Sequence, residues 1–419
     1  MNKILKCNFC GTEKGSSENV LFVPGLEGVC ICNVCAKQVL QITEETLKNK
    51  KSFRSINKTA STPRKILEFL NDYVIKQDHA KMVLATAIYN HYKMLEYKEQ
   101  SGDAPVELEK SNIMLVGPTG TGKTLLCKTI AKILDVPFAM GDATSMTEAG
   151  FVGSDPEIVI RNLIDAANGD VEKAQKGIIF IDELDKISRK GENPSLTKDP
   201  GSEGVQQALL KIVEGAIVDV PPKGQRKHPQ QECIKVDTSN ILFIVGGAFE
   251  GIEKIIQKRL LKSDESSMGF GAKVNSKKDK LYNECILDVK TEDLKKYGII
   301  PELLGRLPII APLQELDKEA IKRILIEPKN ALLKQYQELF KMDDIELEFD
   351  EEALDAVVEK AIEKRTGARS LRGIMEEVLL RHMFNLPDLK EIEKMIITKD
   401  VVVNKSEPIL IEKLEAAAN

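Results

Sequence analysis

The stretch "GPTGTGKT" sets Gly117, Pro118, Thr119, Gly120, Thr121, Gly122, Lys123 and Thr124 in a spacing that suits phosphate. Its glycines let backbone N–H groups curl around phosphate oxygens, Lys123 reaches toward β and γ phosphates, and the Thr124 hydroxyl is offered to Mg²⁺. A helix starting there adds the positive field of its N-terminus. The context fits: apolar "NIMLVG" precedes the loop, and "TLLCKTIAKIL", opening on Thr124 and Leu125, follows it with helical spacing. A glycine-rich turn without a ligand is the alternative.

In "IIFIDELDK" a buried-strand run, Ile178 to Ile181, ends abruptly in Asp182 and Glu183. On an extended strand end adjacent side chains point in different directions, so Asp182 can hold Mg²⁺ while Glu183 polarises a water. Taken alone, the stretch reads better as a solvated acidic strand end. Near the N-terminus, Cys7-x2-Cys10 and Cys32-x2-Cys35 form two knuckles suited to a closed tetrahedral Zn²⁺ site that folds a module and catalyses nothing. Cys30 is a competing ligand but lacks the C-x2-C pairing, and a disulfide is the other reading of the cluster. Arg306 in "LLGRLP" and Arg369 in "RTGARSLR" each read singly as surface salt-bridge residues. Beside a γ-phosphate completed from elsewhere, such a guanidinium contributes about 10³ to 10⁵ in rate.

The elements that must position these groups follow from pattern. Strand-like runs "NIMLVG", "GIIFID" and "NILFIVGG" alternate with helical stretches, which predicts an α/β domain with a largely parallel sheet. Beyond about Pro312 amphipathic helices dominate, as in "EEALDAVVEKAIEKR", with a short extended "IELEFD" before them. The predicted organisation is a cysteine module over 1–48, a polar linker over 49–62 ending where Pro63 opens a helix, a large α/β domain over 63–312 and a small helical domain over 313–419.

At 419 residues the chain can bury a sizeable core, and its formal charge of -5 calls for neither nucleic acid nor an anionic membrane. No apolar run approaches a membrane span, and "MNKILKCNFC" reaches a cysteine pair before a signal-like stretch develops, which predicts a cytoplasmic protein. In "TEAGFVGSD", Phe151 and Val152 form an apolar tip between Gly150 and Gly153 and predict an exposed loop that touches something. "MGFGA" is a second apolar tip inside a long polar excursion, and suits a flexible plug or a plain surface insertion.

With these parts in family order, the chain resembles the ClpX family of AAA+ unfoldases over nearly all its length. The likeness is carried by the four-cysteine module, "YVIKQDHAKMVLATAIYNHYKML", "GPTGTGKT", "EAGFVGSD", "IIFIDELDKI", "SEGVQQALLKIVEG", "GQRKHPQQE", "NILFIVGGAF", "MGFGA", "IPELLGRLP" and "GARSLR". The resemblance implies an AAA+ P-loop domain with a small helical domain and a zinc module, assembled as a homohexamer that binds ATP and Mg²⁺ between subunits. It implies that Val74 and Ile75 line the adenine pocket, Leu125 adjoins the phosphate loop, Arg306 is a finger given to a neighbour's site, and Arg369 reports nucleotide state. Consistent with a neighbour, Arg306 has no evident in-chain target.

By the same likeness Phe151 and Val152 match the main pore loop, and Ser195 to Gly201 falls at a second. Arg226, Lys227 and His228 match a basic loop that first meets substrate tags, and Met268, Gly269 and Phe270 match the tripeptide that docks into the ClpP peptidase. Tagged or unfolded proteins are the implied substrates, and adaptor proteins are implied for the zinc module. The chain departs from the pattern at Phe151, where tyrosine is usual, at Lys76, where glycine is customary, and at Pro200 in the second pore loop, and no polar sensor residue is evident after "NILFIVGG". A remodelling chaperone without a peptidase shares all of this except "MGFGA". A nucleic-acid machine shares the phosphate loop but fits poorly with an acidic chain and an aromatic pore tip.

Overall fold

Among the described residues of the first unit, Met1–Ser61, the buried cluster is sulfur-rich: Cys7, Cys32 and Cys35, with Phe22 and Ile31 packed against them. The computed structural model describes residues 6–13, 21–24, 29–40, 42–43, 62–100, 106–146, 155–188, 200–221, 233–267, 282–364, 367–389 and 391–413. Strands β1 (Phe22–Pro24) and β2 (Cys30–Cys32) pair antiparallel, setting Phe22 opposite Cys32. A helix over 33–40 follows, and Val34, Val39, Leu40 and Ile42 stand exposed.

The second unit, Thr62–Asn419, is built on runs of apolar residues that a sheet covered on both faces requires. Every residue of β3 (Ile113–Val116) and β8 (Leu242–Gly247) is buried, as are Ile178 to Ile181 of β5 (Ile178–Asp182). With β4 (Phe138–Asp142) and β9 (Ile309–Pro312) they form a parallel sheet in the order β4-β5-β8-β3-β9. All five strands therefore end at one edge, and the loops that leave it meet. A separate antiparallel ribbon joins β6 (Ile217–Val220) to β7 (Ile234–Asp237).

Helices α1 (Pro63–Tyr73), α2 (Asp78–Gln100), α3 (Lys123–Leu134), α4 (Glu157–Ala166), α5 (Pro200–Glu214), α6 (Ile252–Ser267), α7 (Thr291–Tyr297) and α8 (Pro301–Gly305) belong to this part. Local chemistry starts several of them. Thr62 Oγ1 accepts from Lys65 N at 3.3 Å, and Pro63, fixed near helical φ, takes the first position of α1. Pro200 likewise opens α5.

After β9, α9 (Lys318–Ile326), α10 (Leu332–Lys341), α11 (Glu351–Glu363), α12 (Leu371–Asn385) and α13 (Lys399–Asn404) enclose a second core that includes Phe340, Leu354, Val357, Leu371 and Met375. The expected extended segment is β10 (Glu346–Phe349). It is one strand of a sheet, paired parallel with β11 (Ile392–Ile397), which pairs antiparallel with β12 (Ile409–Glu412). The pattern of helical runs concealed this sheet, because its partners lie far apart in the chain. Among the described residues, no helix is long and apolar enough to cross a membrane.

Candidate functional site

The phosphate loop leaves β3 at the edge where all five strands end. Gly120 and Gly122 have φ of 81° and 98°, left-handed values that an L side chain resists, and Gly122 caps α3. Gly117 is constrained differently: a Cβ there would stand 2.7 Å from the Leu313 carbonyl oxygen, just beyond β9. Lys123 is buried, and its Nζ donates to the carbonyls of Gly117 at 2.6 Å and Pro118 at 2.9 Å, while Thr121 Oγ1 donates to Pro118 O at 2.8 Å. Burial pushes the Lys123 ammonium below the usual lysine range, opposed by the charges of Asp182 and Asp185.

From β5, separated from β3 by β8, Asp182 Oδ2 accepts from Thr124 Oγ1 at 3.3 Å. The phosphate-loop hydroxyl and the acidic strand end therefore meet although they are far apart in sequence, and together they can hold a divalent cation beside a nucleotide. Glu183 differs from the expectation. It does not continue the strand but turns to φ 59°, and its N–H donates to Asp182 Oδ1 at 2.9 Å. The turn that follows, Leu184–Ile187, is tied down through buried Asp185, whose Oδ1 accepts from Ala248 N at 3.0 Å beyond β8. That tie turns the chain away from the line of β5 at Glu183.

Val74 and Ile75 are buried at the end of α1. The two residues after them, Lys76 and Gln77, both have left-handed φ, 57° and 61°. Gln77 holds the segment in place: its Nε2 donates to Gln314 O at 2.8 Å and contacts Thr121 O at 3.5 Å, and its Oε1 accepts from Gln314 N at 2.9 Å. Lys76, at a φ that favours glycine, forms an ion pair with Asp317, the residue capping α9. From the C-terminal part, Gly367 (φ +59°) approaches so closely that a Cβ on it would lie 3.3 Å from Gly120 Cα. Two residues on, Arg369 is near enough for its charge to act on Lys123.

Arg306 also departs from the expectation, since it has an in-chain partner. Its Nε donates to Glu214 Oε1 at 3.1 Å and its Nη2 lies 3.0 Å from the same oxygen, because the end of α5 packs beside the end of α8. The side chain is nevertheless half exposed, on a cavity of about 580 Å³ shared with Lys98, Lys110 and Ser239. Arg306 lies three residues before Ile309, the first residue of β9, which registers with Ile113 at the start of β3, whereas the phosphate loop follows Val116 at its end. The two lie at opposite ends of the sheet, so the guanidinium does not reach the phosphate loop of its own chain.

In the first unit the Sγ atoms of Cys7, Cys10, Cys32 and Cys35 all lie within 4.8 Å of one another. Cys10 and Cys32 sulfurs are 3.7 Å apart. A disulfide needs about 2.05 Å, whereas a tetrahedron with metal–sulfur bonds of about 2.3 Å has edges near ~3.8 Å. Cys32 N donates to Cys7 Sγ at 3.3 Å and Cys35 N to Cys32 Sγ at 3.5 Å, as thiolates require. Hydrogen bonding to the adjacent Cys10 and Cys32 sulfurs pushes the Cys35 thiol up to about 12. All the cysteines are free thiols, and Cys30 lies outside the cluster, its N–H donating to Asn8 Oδ1 at 2.9 Å. The donor set and spacing fit zinc.

Phe151, Val152, Arg226, Lys227, His228, Met268, Gly269 and Phe270 lie outside the described residues, as does most of Ser195 to Gly201. The sequence reading gave no role to Gln77, Asp185 or Asn112, each of which joins the site to a distant element. Asn112 was the most visible of these, as a polar residue directly before a wholly buried strand.

Residues 108–310 match the AAA domain (Cdc48 subfamily) family, and residues 316–399 match the C-terminal, D2-small domain of ClpB protein. A protein of Treponema denticola described as ATP-dependent Clp protease ATP-binding subunit ClpX is 48% identical over 417 residues, covering 99% of this chain and 98% of that one. Proteins of Borrelia duttonii and Borrelia recurrentis with the same description are each 47% identical over 410 residues, covering 98% of this chain and 94% of theirs.

Proposed function

The chain belongs to the ClpX family of AAA ATPases, and from that premise we propose that it is an ATP-driven protein unfoldase and translocase that passes tagged substrates to the ClpP peptidase. One observation carries the reading. Lys123, Thr124, Asp182 and Glu183 share one end of the sheet while Arg306 stands at the other, so each nucleotide site lacks a finger that only another copy can bring. A ring of identical subunits, six by family analogy, satisfies that requirement.

In this mechanism the loop amides and Lys123 bind the β and γ phosphates of ATP, Val74 and Ile75 hold the adenine, and Leu125 adjoins them. Thr124 and Asp182 hold Mg²⁺, and Glu183 orients and polarises the attacking water. Arg306 of a neighbouring copy neutralises charge developing on the γ-phosphate. Arg369, beside Gly367 and the phosphate loop, gives the C-terminal part a contact that changes when the γ-phosphate leaves. The resulting motion drives Phe151 and Val152 against an unfolded chain, while Arg226, Lys227 and His228 meet incoming tags and Met268, Gly269 and Phe270 dock the peptidase. A zinc module over 1–48 meets adaptors across a linker over 49–62, and domains over 63–312 and 313–419 form the cytoplasmic motor.

The test is ATP-dependent degradation of a tagged, folded reporter with and without ClpP. Degradation is expected only with both ATP and ClpP, and Glu183→Gln is expected to bind ATP while losing turnover. Unfolding that persists without degradation would leave a remodelling chaperone and remove the docking assignment. ATP hydrolysis with no unfolding would remove the unfoldase reading.

A further inference from the structure

An arginine that acts on another subunit must be aimed by its own chain, and Arg306 is gripped at two points. Glu214 holds its guanidinium. Its backbone carbonyl is held by Asn112, whose Nδ2 donates to Arg306 O at 3.0 Å. Asn112 is 2% exposed, and every polar atom of its amide is used. The other Nδ2 hydrogen goes to Val213 O at 3.3 Å, next to Glu214, and Oδ1 accepts from Phe243 N at 3.2 Å at the root of β8. One side chain therefore fixes the arginine's backbone, the turn carrying its side-chain partner, and the central strand.

Its own place in the chain matters as much. Asn112 directly precedes β3, four buried residues that run straight to the phosphate loop. A shift of that loop along β3 is passed to the amide, and from there to the arginine that serves the next site. Valines or leucines at this position would fill the space, but they would remove the partner of three backbone groups, those of Val213 and Phe243 buried and that of Arg306 part-buried, and leave them free to settle elsewhere.

We propose that Asn112 is a positioning residue for Arg306, joining the root of the strand that carries one subunit's phosphate loop to the arginine that completes its neighbour's site. It touches no nucleotide and acts only through Arg306. The proposal rests on the reading of Arg306 as a finger acting between subunits, and the experiment separates the two.

Full-length Asn112→Asp and Asn112→Ser are assayed for ATP hydrolysis, ATP binding and ring assembly, alone and mixed with Glu183→Gln subunits. Arg306→Ala mixed with Glu183→Gln serves as the reference. Each variant alone is expected to bind ATP with KM within about twofold of wild type and to lose about ten- to a hundredfold in kcat, the scale of a misplaced catalytic group. In mixed rings an Asn112-variant subunit supplies intact Glu183 and its Glu183→Gln neighbour supplies a well-held Arg306, so hydrolysis should return. If the Arg306→Ala mixture regains activity and the Asn112 mixtures do not, or if kcat is unchanged, Asn112 is not a positioning residue. Failure of both Asn112 variants to assemble gives it a folding role alone and overturns the proposal equally. If the Arg306→Ala mixture itself stays inactive, the reading of Arg306 as a neighbour's finger falls first.

Discussion

Replacing His91 by Met should make the large domain resist acid. His91 lies on α2 with 3% of its surface exposed, and neither ring nitrogen makes a well-formed hydrogen bond, although the Asn240 backbone acts on the ring. Burial, aided by the positive charge of Lys110, lowers its pKa from 6.5 to about 3. A base depressed in this way stays neutral when folded while the unfolded chain takes up a proton, so stability falls as pH falls through about 6.5. From pH 8 to pH 5 the loss is about 2 kcal/mol, since nearly every unfolded imidazole and almost no folded one is then charged. For a domain of this size that is about 4 to 8 °C in Tm.

Methionine has similar volume and forfeits no well-formed hydrogen bond, only the Asn240 backbone contact and an edge contact with the Tyr92 ring at 5.2 Å. At pH 8 the variant should therefore lie within about 1 kcal/mol of wild type. Lys110, which burial lowers to about 7, titrates in the same window but is present in both proteins and drops out of the difference. Thermal melts at both pH values, with hydrogen exchange along α2 as a local reading, make the comparison. Equal pH dependence in the two proteins would refute the reasoning, and a large loss at pH 8 would mean that the ring has a partner.

Three further outcomes follow from contacts around the nucleotide and metal sites. Lys76→Gly removes a left-handed lysine, worth about 1 kcal/mol, and loses a partly exposed pair with Asp317, worth about 0.2–1 kcal/mol. The two nearly offset, so a change in thermal stability beyond about 2 kcal/mol would show that the pair does more than bridge a surface. Gly367→Ala adds a Cβ against Gly120 at left-handed φ and should weaken ATP binding about two- to tenfold with little change in kcat, read by ATP titration; unchanged affinity would mean that the turn does not press on the phosphate loop. Strong chelation, or Cys32→Ser, should release zinc and unfold the first unit while leaving hydrolysis by the second within about twofold, and metal analysis showing full retention would remove the tetrahedral assignment.

Much of this molecule is written locally. The phosphate loop, the Asp182–Glu183 strand end and the cysteine knuckles are contiguous or narrowly spaced, because their chemistry needs neighbouring backbone amides, a strand end or two ligands on one turn. Long apolar runs disclosed β3, β5 and β8, since strands buried on both faces must be apolar throughout. The left-handed turn at Glu183, the Glu214 partner of Arg306, the ion pair of Lys76 and the hub at Asn112 were not legible in this way. Each depends on which strands lie side by side. The order β4-β5-β8-β3-β9 sets Asp182 against Thr124 and sends Arg306 to the far end, and no periodicity in the chain encodes that order. Residue types and their spacing point to the groups the chemistry would use, whereas which of them one chain brings together is set by packing between segments far apart in the chain.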